Sequence, residues 1–200
     1  MNNTLIDNSI EALSMTATLR KCLAIDGIKT VSIATGYWDI PGLAILQVNL
    51  RSFIEKDGTT LRLLIGKDPY IYANQLKSPK YKDANYPLDF IKTDIHELNV
   101  TEEYKDAIRL LLDYCTENND SKIQIRVFRK NENDETQFLH SKCYIFDGKS
   151  NGIGIGIVGS TNFTQKGLQG NAELNYIETA PNQVLSLDKI PGNKSHLIWF

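Results

Sequence analysis

Two side chains able to do chemistry stand together in the run Phe138-Leu139-His140-Ser141-Lys142-Cys143-Tyr144-Ile145-Phe146-Asp147. The imidazole of His140 can serve as a base or a nucleophile, and the ammonium of Lys142 places a compact positive charge beside it. Side chains on a β-strand alternate between faces, so a strand over Phe138–Phe146 projects His140, Lys142 and Tyr144 to one side. Cys143 and Ile145 face the other side, which sets Cys143 apart from any chemistry. A nucleophile next to a fixed cation is suited to gripping and attacking a phosphate. Further along, Gly159-Ser160-Thr161-Asn162 adds a hydroxyl and a neutral amide donor, and Glu173, within Asn171-Ala172-Glu173-Leu174, adds a carboxylate.

His140-x-Lys142-x4-Asp147 followed by Gly159-Ser160-x-Asn162 resembles the HKD motif of the phospholipase D superfamily. Glu173 sits where that family often carries an acidic partner for the histidine. A His-x-Lys pair alone is a weak signal; with the spacing to Asp147, the Gly-Ser-x-Asn and the later Glu173 it becomes a specific one. The resemblance implies an α/β fold, a phospholipase D-like mixed β-sheet flanked by helices, with one HKD half per chain. It also implies phosphodiester cleavage without metal or cofactor. His140 would attack and form a phosphohistidine. Lys142, Asn162 and Ser160 would hold the non-bridging oxygens, and Glu173 would accept a hydrogen bond from the second imidazole nitrogen. Asp147 and Gly159 read as structural members of the motif, Asp147 bracing the turn after the strand and Gly159 permitting a close backbone approach.

One histidine cannot attack phosphorus and also protonate the leaving oxygen on the opposite, in-line face. Members of the family meet this need with two HKD motifs about a pseudo-twofold axis. This chain has one copy, so the resemblance implies a homodimer with an isologous interface and a shared cleft.

The elements that must carry these side chains follow from periodicity. Asn8–Leu23 has a helical apolar stripe, and the alternating run Thr30–Trp38 reads as a strand that ends in a loop at Gly36–Gly42. A helix over about Leu43–Lys56, entered at Pro41 and closed by Asp57-Gly58, leads to a strand at Leu61–Gly66. Strand, helix, strand is a βαβ unit and predicts a parallel pair. Tyr70–Asn99, rich in tyrosine, lysine and proline, reads as a surface insertion of loop and short helix. Thr101–Glu117 is an amphipathic helix with Thr101 or Asn99 as its cap. Strands follow at Ile123–Phe128, Phe138–Phe146, Ile153–Val158 and Glu173–Glu178, with a turn at Gly167–Gly170. Residues 1–178 thus form one phospholipase D-like domain. Residues 179–200 read as a C-terminal segment, either a linker to a further domain or a dimer contact.

The whole chain bounds these expectations. Its 200 residues, 42% hydrophobic and 23% charged, can bury one sizeable core. It has no apolar run of about 18 residues to span a bilayer and no leader pattern at Met1–Asp7. Cys22, Cys115 and Cys143 are widely spaced among apolar neighbours and read as reduced cysteines of a cytoplasmic protein. His96 and His196 are isolated and read as structural, and no Cys-x-x-Cys occurs, so no metal centre is expected. Net charge is −2 and the sequence pI about 5.9, which is not the balance of a general nucleic-acid binder. Lys122, Arg126, Arg129, Lys130, Lys142, Lys149 and Lys166 nevertheless gather around the motif in sequence. Tyr37 and Trp38 read as core or rim side chains rather than stacking platforms for bases.

The leading functional expectation is a phospholipase D-like endonuclease acting on DNA or RNA, of the kind fused to helicases or to the recognition domains of restriction systems. A lipid phosphodiesterase or phosphatidyl transferase is the alternative; a third reading is a non-catalytic nucleic-acid-binding module, against which the intact His140, Lys142, Asn162 and Glu173 stand.

Overall fold

A computed structural model of the chain describes residues 5–66, 101–115, 121–128, 139–185 and 195–200. Its centre is strand β2 (Thr30–Thr35), buried at every position. The run Thr-Val-Ser-Ile-Ala-Thr puts small or β-branched side chains on both faces, as a central strand requires. Helix α2 (Ile40–Ile54) follows at once, with Asp39 as its cap (Oδ1 accepts from Gly42 N at 2.6 Å) and Pro41 in the first turn. Strand β3 (Thr60–Ile65) then pairs parallel to β2, as the βαβ reading predicts. Helix α3 (Glu102–Tyr114), capped by Thr101, precedes β4 (Ile123–Val127), which is parallel to β3.

On the other side of β2 the sheet is antiparallel. β5 (Lys142–Asp147) pairs with β2, β6 (Gly154–Gly159) with β5, and β7 (Asn175–Glu178) with β6. The two-residue strand β1 (Leu5–Ile6) closes the edge against β7. Among the described residues this is a mixed seven-stranded sheet of order β1-β7-β6-β5-β2-β3-β4.

The two faces of the sheet are covered unequally. Helices α1 (Met15–Ala24), α2 and α3 cover one, and Leu19, Leu43, Leu46, Leu50, Phe53, Ala107 and Leu110 pack there on Val31, Ile33, Leu61, Leu63, Tyr144 and Phe146. Each of the large side chains contributes on the order of 2 kcal/mol by burial. The reverse face carries a smaller cluster, Ala34, Cys143, Ile145 and Val184, under the short helices α4 (Pro181–Leu185) and α5 (His196–Trp199). Phe200 lies over the Arg62 guanidinium at 5.0 Å, and Arg62 itself donates to Ser32 Oγ. Burial pushes the thiols of Cys22 and Cys143 up to about 12, so both remain protonated and inert.

Several boundaries differ from the sequence expectation. The first helical stripe is broken at Ser14 into a 3-10 turn (Glu11–Leu13) and α1, because Ser14 accepts from Ala17 N and so caps a new helix. The strand from Thr30 ends at Thr35, where the expected loop Gly36–Gly42 begins, and the helix after it starts at Ile40 instead of about Leu43. The motif strand begins at Lys142, not upstream of His140. Thr35, the last residue of β2, is the ladder partner of Lys142. Beyond it β2 turns away, leaving residues before Lys142 nothing on that side to pair with. Gly167–Gly170 lies in a π-helical turn, Lys166–Gly170. The insertion read at Tyr70–Asn99 lies outside the described residues.

Candidate active site

Lys142, Thr35, Gly159 and Asn175 all lie at one end of the sheet, where β2 and β6 finish and β5 and β7 begin. Lys142 is buried, only 6% exposed, on the face that carries the main core. Its Nζ donates to the backbone carbonyl of His140 at 2.8 Å, a bond that ties the ammonium to the residue two positions earlier. Burial lowers the pKa of Lys142, and the nearby Glu173 carboxylate opposes that shift. His140 itself is exposed at the lip of the sheet. An exposed histidine therefore neighbours, through its own backbone carbonyl, a held and partly desolvated cation.

The segment Ser160–Phe163 is fixed at every residue. Ser160 N donates to Leu174 O at 3.1 Å. Thr161 N donates to Asn175 Oδ1 at 3.2 Å, its hydroxyl accepts from Asn175 Nδ2 at 2.8 Å, and its carbonyl accepts from the Tyr144 hydroxyl at 2.8 Å. Tyr144 is fully buried and its phenol pKa lies well above the ordinary value, first because of burial, so it stays a donor. Phe163 N donates to Thr35 Oγ1 at 3.0 Å, and Phe163 O accepts from Asp39 N at 3.3 Å. Asn162 Oδ1 accepts from Tyr37 N at 3.2 Å. That contact identifies the amide oxygen and leaves the amide nitrogen on the other side of the carboxamide. Gly42, in the first turn of α2, permits this arrangement: a Cβ there would stand 2.8 Å from the Thr164 Cα.

The remaining motif residues are placed as follows. Ser160 Oγ donates to Glu173 Oε2 and accepts from Leu174 N at 3.0 Å, so its one proton points to the carboxylate. Glu173 Oε1 accepts from Asn171 Nδ2 at 3.1 Å. Through its charge Glu173 also reaches Lys142 and Tyr144. Gly159 packs against β7: a Cβ on it would collide with Leu174 O and Asn175 Oδ1, so its close approach is to protein backbone. Asp147 stands at the far end of β5, about 16 Å from Lys142 at the usual rise per residue, and on the opposite face. Its Oδ1 accepts from Lys149 N at 2.5 Å and holds the turn into β6.

Of the basic residues that gather around the motif in sequence, Lys122 and Lys149 are held elsewhere in space. Lys122 Nζ donates to the carbonyls of Ile54 and Lys56, capping the C-terminal end of α2. Lys149 lies with Asp147, at the end of β5 away from Lys142. Arg126 and Lys166 are exposed; Arg129 and Lys130 lie outside the described residues. Sequence reasoning missed Thr35, Thr161, Asn175 and Tyr144, which position the Asn162 segment. For Thr35, Tyr144 and Asn175 the one sequence signal is polarity within a strand; Thr161, in the turn after β6, has none.

One end of a mixed α/β sheet thus gathers an exposed histidine, a buried lysine and an asparagine amide of fixed orientation. The sequence matches, over residues 25–190, the family model described as cardiolipin synthase, PLD-like domain. The chain therefore belongs to the phospholipase D superfamily of phosphodiesterases. Comparison with curated proteins returns no match. Similar solved structures include NucT from Helicobacter pylori, 11% identical over 80% of this chain and 74% of that one, with a TM-score of 0.40. Yeast tyrosyl-DNA phosphodiesterase is 13% identical over 80% of this chain, with a TM-score of 0.41, and this chain spans 28% of its length. Among the described residues no helix is long and apolar enough to cross a membrane, and no three His, Cys, Asp or Glu side chains gather as metal ligands would.

Proposed function

We propose that the protein is a nuclease that cleaves phosphodiesters through a phosphohistidine on His140, in a site completed by a second copy of the chain. The observation that carries this reading is the pairing of an exposed imidazole with a buried ammonium held by that same residue's carbonyl, next to an amide whose orientation is fixed. Lys142 and the Asn162 amide nitrogen hold the non-bridging oxygens and stabilise the charge that builds on them at the five-coordinate stage. Glu173 accepts from the second imidazole nitrogen of His140 and sets its tautomer. Ser160, whose proton lies on Glu173, supports the carboxylate more directly than it supports substrate. The leaving oxygen takes its proton from the histidine of the second copy, on the opposite side of phosphorus. Nucleic acid is the favoured substrate because a nucleophile exposed at a sheet end can meet a backbone phosphate, and a polyanion is drawn to exposed basic side chains. Arg126 and Lys166 supply exposed positive charge.

A second reading, hydrolysis or transfer of a lipid phosphodiester, is favoured by one feature. Leu5, Tyr176 and Val158 form a row across the β1, β7 and β6 edge, each between 42% and 54% exposed. The test offers the purified protein single-stranded DNA, single-stranded RNA and phosphatidylglycerol vesicles in EDTA. Cleavage of a nucleic acid, weakening as salt rises, supports the leading reading. Turnover of the vesicles alone transfers support to the lipid reading. A strictly monomeric protein with full activity contradicts the shared site.

A further inference from the structure

We infer that Thr35 is a positioning residue that sets the Asn162 amide in register with the Lys142 ammonium, an inference that rests on the reading of Asn162 as a phosphate donor. Thr35 is fully buried and stands directly opposite Lys142 in the β2–β5 ladder. Directly opposed residues on an antiparallel pair share a face, with Cβ atoms about 5 Å apart. Thr35 therefore forms the wall beside the Lys142 side chain. Its hydroxyl also reaches across to the other donor. Thr35 Oγ1 donates to Tyr37 O at 2.6 Å, accepts from Phe163 N at 3.0 Å, and lies 3.5 Å from Asn162 Oδ1. Tyr37 N in turn donates to Asn162 Oδ1.

A hydroxyl has one proton and two lone pairs, and here the proton goes to Tyr37 while a lone pair takes Phe163. One buried oxygen thus holds both backbone neighbours of the Asn162 side chain: the residue that anchors its amide oxygen and the residue that follows it in sequence. Replacing the hydroxyl by a methyl group removes the bond that each of the Tyr37 carbonyl and the Phe163 N–H makes to it, and both segments then shift. The Asn162 amide moves with them, while Lys142, held by β5 and the His140 carbonyl, stays. The spacing of the two phosphate donors is what changes.

The experiment is a double-mutant cycle on bis-p-nitrophenyl phosphate with wild type, Thr35→Val, Asn162→Ala and the double variant. Displacing a transition-state donor by about 1 Å costs on the order of 100-fold, so Thr35→Val should lower kcat about 10- to 100-fold with KM within about twofold. In the Asn162→Ala background the same substitution should cost less than about twofold more, because the group it positions is gone. Thr35→Ser keeps the hydroxyl and should stay within about threefold of wild type. Thr35→Val with wild-type kcat overturns the inference, as does a loss that multiplies with that of Asn162→Ala. If Thr35→Val fails to fold, Thr35→Cys, of similar volume but a weak hydrogen-bonding group, enters the same cycle with the same expectations. A wild-type protein without activity removes the functional reading and this inference together; an active wild type that is sensitive to Asn162→Ala but not to Thr35 removes only the inference.

Discussion

The two ends of strand β5 carry the three residues that name the motif, and they are built for different work. At the Lys142 end a charge is buried, bonded to the His140 carbonyl and reached by the field of Glu173, while the imidazole lies open to solvent. At the Asp147 end a carboxylate holds the N–H of Lys149, a residue at φ 57°, and so fixes the turn into β6. The ends are five positions apart, an odd number, so strand alternation turns Asp147 to the reverse face. Spacing in a motif therefore need not report proximity in a site. Here it reports the length of one strand, chemistry at one end and construction at the other.

That contrast can be broken by substitution. The largest effect is expected at His140: alanine there should abolish turnover, a loss of about 10⁴-fold or more in kcat, measured on bis-p-nitrophenyl phosphate. Full activity in that variant would remove the nucleophile. Asn162→Ala comes next, with a loss on the order of 100-fold in kcat for a fixed donor to developing charge. A smaller effect is expected in the pH profile. Because burial lowers the pKa of Lys142, the alkaline limb of kcat/KM should fall below the ordinary lysine value of about 10.4. Glu173 raises that pKa, so Glu173→Gln should move the limb to still lower pH; a shift to higher pH would contradict the assignment. The same sign applies to stability: with the folded pKa depressed, the charged Lys142 opposes folding at neutral pH, and the penalty lifts as pH rises through the folded value. The smallest effect is at Asp147. Asn there should cost about 1 kcal/mol in stability, read as a lower Tm, with kcat unchanged well below that Tm. A large kcat loss from Asp147→Asn at full folding would erase the distinction between the two ends.

Much of this could be read from the chain. The βαβ unit, the capped helix at Glu102–Tyr114 and the strands that flank the motif all follow from local periodicity. What escaped has a common cause. The start of β5 is set by where its partner β2 stops, not by its own alternation. Thr35 and Asn175 look like ordinary strand residues, and their hydrogen bonds run to Phe163, 128 positions away, and Thr161, 14 away. The edge strand Leu5–Ile6 is too short to show a period. Lys122 left the basic run because its ammonium is drawn to the end of α2, where it bonds to Ile54, 68 positions away.

The measurement that bears most directly on the central claim is the stereochemistry of cleavage at phosphorus, followed with a chiral phosphorothioate diester. Attack by His140 and release by water are two in-line displacements, so the phosphohistidine route predicts net retention of configuration. Net inversion would mean that water attacks the substrate directly and that His140 is not the nucleophile.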